Sequence, residues 1–212
     1  DQKRKEKPLI SVTFTNERIG DGILVDRIIS YDSARSWFQS VKKNIKDPKP
    51  EPPAKILEIG VYPPPFCGWG TRLYFVRRAL DKAGHRCIPL NIGTNRKIPS
   101  DEYECVRNGW EYVCKIVRYL SRGYVIHMHA NGSAPKGFIL CGIAYALSLL
   151  TFRRPMLTLH AGTKQRFFPR SQSRLMSPIL RMLFAIPKLV ICNNPDVKDL
   201  IVDYSINSDK IV

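Results

Sequence analysis

The chain has 212 residues, 44% of them hydrophobic and 25% charged, with a formal net charge of +16. These values suit a folded globular chain, either one large domain or a domain with an appendage, and exclude a disordered or fibrous protein. The charge is concentrated: Tyr112 to Pro195 contains no Asp or Glu but many Lys and Arg, so the expected partner is an anion (phosphate, nucleic acid or an acidic membrane), with a merely solvated basic surface as the alternative.

The chain opens on "DQKRKEKPLI", which is charged and lacks the apolar core of a secretory signal. "LISVTF" and "GILVDRIISY" flank a Gly-containing loop and read as a hairpin. "SARSWFQSVKKNI" reads as a short helix, and "KDPKPEPPAK" as a proline-rich linker. Residues 1–53 therefore form an expected N-terminal appendage and linker. The six cysteines form no C-x-x-C pair and mostly sit inside apolar runs. Reduced thiols in a cytosolic compartment are expected, without a zinc cluster.

From Ala54 the pattern changes. Apolar, β-branched runs occur at "KILEIGVY", "RCIPLNIG", "YVIHMHA", "PMLTLHA" and "KLVICNN", alternating with helical patterns. Leu73, Val76, Leu80 and Ala83 lie at helical spacing after the glycines. Val106, Trp110, Val113, Val117 and Leu120 mark a second helix face. Residues 137–152 and 173–186 give two more helices. The 137–152 run is too short to span a bilayer and reads as a helix against the sheet. Asn194 and Pro195 open the last helix as N-cap and first helical residue. Strands alternating with helices predict an α/β fold, a three-layer sandwich with a mostly parallel sheet, over residues 54–212.

Such sheets bind ligands outside the carboxyl ends of their strands. Four features fall there: the loop Pro63 to Gly70, "HMHANGS", "LHAGTKQR" and "CNN". Gly68 and Gly70 precede a helix, so backbone N–H groups can face an anion; a turn that needs glycine is the plain alternative. Gly68-Trp69-Gly70-Thr71-Arg72-Leu73 lacks the third glycine of a dinucleotide fingerprint, and no acid ends the second strand, which disfavours a nicotinamide enzyme. His127 and His129 share one side of their strand and have metal-ligand spacing. No carboxylate or cysteine stands near them in sequence, so no metal is expected, and His127 reads as a core residue. His160 ends an apolar strand, where a group titrating near neutrality suits a sugar hydroxyl or phosphate; a structural histidine is the alternative. Lys164 to Phe184 interleaves basic and apolar residues, as expected either for an anionic bilayer or lipid-phosphate contact or for a core helix after a basic loop.

The stretch "KILEIGVYPPPFCGWGTRLYFVRRALDKAGHRC" resembles the opening of family 4 glycosyltransferases of the GT-B fold: strand, Pro/Gly loop, helix, then "GH", here Gly84-His85. "YVIHMHA", "RRPMLTLHAG" and "LVICNNPDVKDLIVDYSINSDKIV" match later landmarks in order, so the resemblance covers residues 54–212. It implies a Rossmann-like N-terminal half that binds the acceptor of a hexosyltransferase-type enzyme. The donor would be a nucleotide sugar and the acceptor a polysaccharide, glycolipid or lipid-linked glycan, in cell-envelope polysaccharide synthesis. The expected location is cytoplasmic, peripheral on the inner face of the membrane. The family's second half, with its E-x7-E element, is not in this sequence, so the chain is expected to be inactive alone. Trp69 also separates glycines that the family often has adjacent. The resemblance assigns His160 as the catalytic residue. Gly68, Trp69, Gly70, His129, Lys164, Arg166 and Asn194 complete the candidate substrate site, with no metal or other cofactor. The rival readings are a basic nucleic-acid-binding α/β module, disfavoured by the lack of any such motif, and a non-catalytic scaffold half.

Overall fold

The alternation of extended apolar runs with amphipathic segments forms one five-stranded sheet in the computed structural model, which describes residues 52–133 and 135–212. The expected appendage, its hairpin and its helix lie outside the described residues. The strands are β1 (Lys55–Gly60), β2 (Arg86–Asn91), β3 (Val125–Ala130), β4 (Met156–Leu159) and β5 (Leu189–Cys192). All pair in parallel, in the order β2-β1-β3-β4-β5. The helices are α1 (Gly68–Lys82), α2 (Gly109–Ser121), α3 (Pro135–Leu150), α4 (Met176–Ala185) and α5 (Pro195–Val202). The fold is a Rossmann-like three-layer α/β sandwich, as the alternation predicts. Its topological switch lies between β1 and β3, because the chain leaves β1 towards β2 and leaves β3 towards β4.

The two faces of the sheet differ chemically. Leu57, Ile59, Leu90, Ile126, Met128, Leu157, Leu159 and Val190 are in register on one face, are fully buried, and join a core with Ile116, Cys141, Ala144, Leu180 and Phe184. Each large aliphatic buried there contributes about 1.5–3 kcal/mol. The opposite face of the same strands carries buried Glu58, Asn91, His127, His129 and Thr158.

One helix expectation needs correction, whereas α3 packs against the sheet as expected. In α2 the buried stripe is Tyr112, Ile116, Tyr119 and Leu120, whereas Trp110 and Val117 are exposed. The segment has apolar residues on two faces, and the tyrosines, which reach the core while keeping a polar tip, settle which face turns inward; the Tyr112 hydroxyl donates to the Leu140 carbonyl at 3.0 Å. In α3 only Phe138, Cys141, Ala144, Tyr145 and Ser148 are buried, and Ile139, Leu149 and Leu150 face outward. No helix among the described residues is long and apolar enough to cross a membrane. The capping of α5 is as expected: the Asn194 side chain accepts from the Val197 N–H at 3.0 Å, with Pro195 in the first turn.

Part of the basic excess is structural. Arg153 donates to the Leu120 carbonyl in the last turn of α2. Arg154 and Lys210 donate to carbonyls at the end of α4, Phe184 to Pro187. Cations at helix C-termini satisfy the orphan carbonyls and oppose the negative end of the helix dipole. All six cysteines are free.

A cavity of about 380 Å³ lies against the edge strand β2, lined among others by Arg77, Glu104, Glu111, Lys115 and Tyr119. Its charges already serve one another: Lys115 Nζ meets Glu104 at 2.9 Å and Glu111 at 3.1 Å, and Arg77 donates to the Tyr62 hydroxyl. Burial works against the Glu104 carboxylate, but the Tyr119 hydroxyl and Lys115 outweigh it and hold the carboxyl below its ordinary value. Lys115→Met should therefore cost about 1 kcal/mol at pH 7, partial exposure limiting the effect. A carboxyl with a depressed folded value adds stability above its ordinary pKa of 4.5 and loses it as pH falls further. Urea midpoints of wild type and Lys115→Met should differ at pH 7 and converge as pH falls below 4.5 and through the lowered folded value of Glu104.

Candidate functional site

Period-2 alternation places the polar side chains. In "ILEIG", "IHMHA" and "LTLHA" every second residue is aliphatic and faces the large core, so Glu58, His127, His129 and Thr158 must share the other face. Glu58 of β1 pairs in register with His127 of β3, and His129 pairs with Thr158 of β4. The Glu58 side chain has no exposed surface. Its Oε1 lies 3.2 Å from His127 Nδ1 and 3.5 Å from His129 Nε2. Neither approach is aligned as a hydrogen bond, so both Glu58 oxygens and His129 Nε2 are buried without a hydrogen-bond partner among the described residues.

The outer nitrogens of these rings are engaged. His127 Nε2 and Thr158 Oγ1 are 2.8 Å apart, and His129 Nδ1 and His160 Nε2 are 3.0 Å apart. His129 and His160 stack with centroids 5.3 Å apart, and Trp69 stacks on the far side of His160 at 5.4 Å. A continuous series of side chains thus runs from a buried carboxylate to the first turn of α1. Burial opposes the Glu58 charge, but the two imidazoles outweigh it and hold its carboxyl at about 2. Burial lowers His129 to about 4. His160, expected to titrate near neutrality, is lowered to about 3, first by burial and then by the neighbouring His129 and Arg72. It is therefore an uncharged imidazole at physiological pH, one nitrogen of which is occupied by His129.

The crevice glycines divide unexpectedly. Neither Gly68 nor Gly70 has a positive φ; among described glycines only Gly84 and Gly123 do. A Cβ at Gly68 would meet nothing within 4 Å, and one at Gly70 would make only ordinary contacts with Val61, Cys67 and Pro63. Nothing among the described residues demands glycine at these two positions, which argues against the plain turn explanation. The Gly70 N–H is already taken by the Cys67 thiol, the N-cap of α1. The N–H groups of Gly68 and Trp69 have no protein acceptor among the described residues. The constrained position is Gly60 at the end of β1, where a Cβ would stand 2.6 Å from Leu73 Cδ1 and 3.1 Å from His129 Cβ. Leu73 anchors α1 beneath the crevice, so Gly60 sets how closely the helix start approaches the histidines.

The remaining candidates lie along the same carboxyl edge. Lys164 and Arg166 are exposed on the loop after His160. That loop is tied to the end of β3, where Gly132 N–H donates to Gln165 Oε1 at 2.6 Å and Phe167 N–H to the Gly132 carbonyl at 2.8 Å. The side chain of Asn194 is occupied as the α5 cap. Its neighbour Asn193 instead accepts from Arg72 of α1 at 3.0 Å, linking the ends of β1 and β5 across the edge. The structure therefore groups Trp69, His129 and His160 closely, with Gly70 buried in the first turn of α1 and Gly68, Lys164 and Arg166 exposed. Glu58, Gly60, Arg72 and Thr158 were missed, and Asn193 was seen only as part of the "CNN" strand end. The alternation around Glu58 and Thr158 was visible in sequence, but the partners of Arg72 and Asn193 lie too far along the chain to infer. The sequence reading also found no carboxylate for the histidines; Glu58 supplies one because strand pairing brings it into register 69 residues earlier in the chain.

No protein-family model matches the chain, and no curated protein matches it.

Gly60→Ala should lose about 1–3 kcal/mol, the usual range for overpacking at a closed site, whereas Gly68→Ala should stay within about 0.5 kcal/mol. Denaturant midpoints of the two variants test this. Equal stabilities would mean that the approach of α1 to His129 is not sterically set.

Proposed function

We propose that this chain is the acceptor-binding half of a glycosyltransferase that uses a nucleotide-sugar donor. The observation that carries the reading is the position of His160: at the carboxyl end of β4, stacked on Trp69 from the start of α1, beside the topological switch between β1 and β3. Open α/β sheets take their ligands at that switch. The glycines and the rim cations add to it. Glycine is present where internal packing does not require it, which leaves room for a ligand against the start of α1.

In this reading the bond between the anomeric carbon and the diphosphate oxygen breaks. A bond to the acceptor oxygen forms, the nucleoside diphosphate leaves with the electron pair, and the acceptor hydroxyl's proton passes to the departing diphosphate. His160 contributes a neutral hydrogen bond to the sugar, since its charged form is suppressed. The unengaged N–H groups of Gly68 and Trp69, with Lys164 and Arg166, attract an anionic group of donor or acceptor. A second, nucleotide-binding half completes the crevice, and transfer needs both substrates held together.

A basic α/β module for nucleic acid is the second reading, favoured only by the charge. The chain alone should not turn over a panel of nucleotide sugars with lipid-phosphate or glycan acceptors; robust turnover would sink the two-half reading. In the full two-half enzyme, His160→Ala should lower kcat by about 100-fold, the scale for removing one polar contact to developing charge, with little change in melting temperature. Steep salt-dependent DNA binding without any response to sugar nucleotides would favour the rival.

The membrane-facing part of the proposal rests on α4. Leu180, Leu183 and Phe184 turn inward, while Leu175, Ile179 and Met182 are exposed close to Arg174 and Arg181. The helix is thus a core element on one side and a basic, apolar surface on the other, which leaves a face that an anionic surface could meet. Sedimentation with vesicles containing anionic lipid should exceed that with neutral vesicles, by about 1 kcal/mol per basic residue at the surface, and should fade as salt rises. Equal sedimentation would remove the membrane from the proposal.

A further inference from the structure

We propose that Glu58, His127 and His129 form a binding site for a divalent transition-metal ion, with Zn²⁺ the ion that their donor set fits, under the carboxyl edge of the sheet. This inference does not depend on the transferase reading and can fail or succeed without it.

The donor atoms already converge. Glu58 Oε1, His127 Nδ1 and His129 Nε2 all lie within 4.8 Å of one another. Their separations from Glu58 Oε1 are 3.2 and 3.5 Å. Ligand bonds of about 2.0–2.2 Å at tetrahedral angles place donors about 3.3–3.5 Å apart, and the two separations from Glu58 Oε1 are close to that spacing. Neither approach is aligned as a direct hydrogen bond, which leaves the atoms orphaned among the described residues.

The orphaned atoms are the independent observation. Both Glu58 oxygens and His129 Nε2 are buried with no hydrogen-bond partner among the described residues, on side chains with 0% and 1% exposure. A carboxylate with no exposed surface and no aligned hydrogen bond is a costly group that a cation would stabilise. A dication between the three groups satisfies every one of these atoms. Two imidazoles and a carboxylate, with the second carboxylate oxygen available as a further donor, are ligands suited to Zn²⁺. The site is sealed, as structural metal sites are, rather than open to substrate.

The outer contacts follow the pattern of metal-ligating histidines, whose second ring nitrogen is held by a neighbouring polar group. His127 has Thr158 in that place and His129 has His160. An imidazole that gives one nitrogen to the ion keeps its proton on the other. His127 would then donate from Nε2 to Thr158, and His129 from Nδ1 to His160 Nε2. The ion would thereby set which nitrogen of His160 carries the proton. The expectation of a metal-free chain followed from sequence proximity alone, and Glu58 reaches the histidines through strand register instead.

The test uses the full chain. Purified without added metal, it should carry about one equivalent of zinc by elemental analysis. After removal with a chelator, Zn²⁺ should raise the melting temperature, and Co²⁺ should give the visible absorption bands of a four-coordinate site. Glu58→Gln preserves side-chain volume and removes a buried charge, so it should fold; it should lose the bound equivalent, weaken the Zn²⁺ response at least 10-fold and abolish the Co²⁺ bands. His129→Asn should do the same. Wild-type protein with neither bound metal nor a Zn²⁺-dependent melting shift would overturn the proposal. So would a full equivalent retained by folded Glu58→Gln, since that metal would be held elsewhere, for example by exposed cysteines.

Discussion

A carboxylate with no exposed surface sits in the middle of β1, and the architecture around it answers to that fact. An isolated buried charge is among the costliest features a fold can contain. Glu58 is tolerated because β3 pairs with β1 in the one register that brings His127 opposite and His129 next to it. A slip of one residue would point both histidines into the aliphatic core and set Met128 on the charge. The polar face of the sheet is thus a constraint on strand pairing as well as a possible site of chemistry.

The same constraint shapes the crevice. His129 must be large enough to reach Glu58, so the residue beside it on β1 must be small, and Gly60 stands there. Leu73 fills the remaining space and draws α1 down onto the sheet. Trp69, one turn earlier, then comes to rest on His160. The geometry at the carboxyl edge is inherited from strands and a helix rather than from flexible loops, which favours a preorganised site. The loop after His160 is itself tied down: Phe168 is fully buried against Phe184 and Tyr204.

The charge of +16 has more than one origin. Arg153, Arg154 and Lys210 close helix C-termini, and Lys115 pairs with two glutamates. These cations would be needed in any environment. Lys164, Arg166, Arg174 and Arg181 have exposed side chains near the crevice rim or along α4, and it is this smaller group that bears on an anionic partner. Composition alone counts both groups together.

The order and type of elements between residues 54 and 212 were legible in the sequence because each strand is a short apolar run and each helix carries its own periodicity and punctuation. Asn194 followed by Pro195 announced the start of α5 through local backbone chemistry, which needs no distant partner. The inward face of α2 was not legible, because Trp110 and Val117 compete with Tyr112 and Ile116 and only the neighbouring helix α3 decides between them. The carboxyl edge was legible as a set of strand ends, since a parallel sheet gathers them on one side whatever the sequence. What the tertiary structure alone decided was adjacency: Glu58 against His127, His129 against His160, Arg72 against Asn193. Strand order and register determine those contacts, and both depend on packing between segments that lie far apart along the chain.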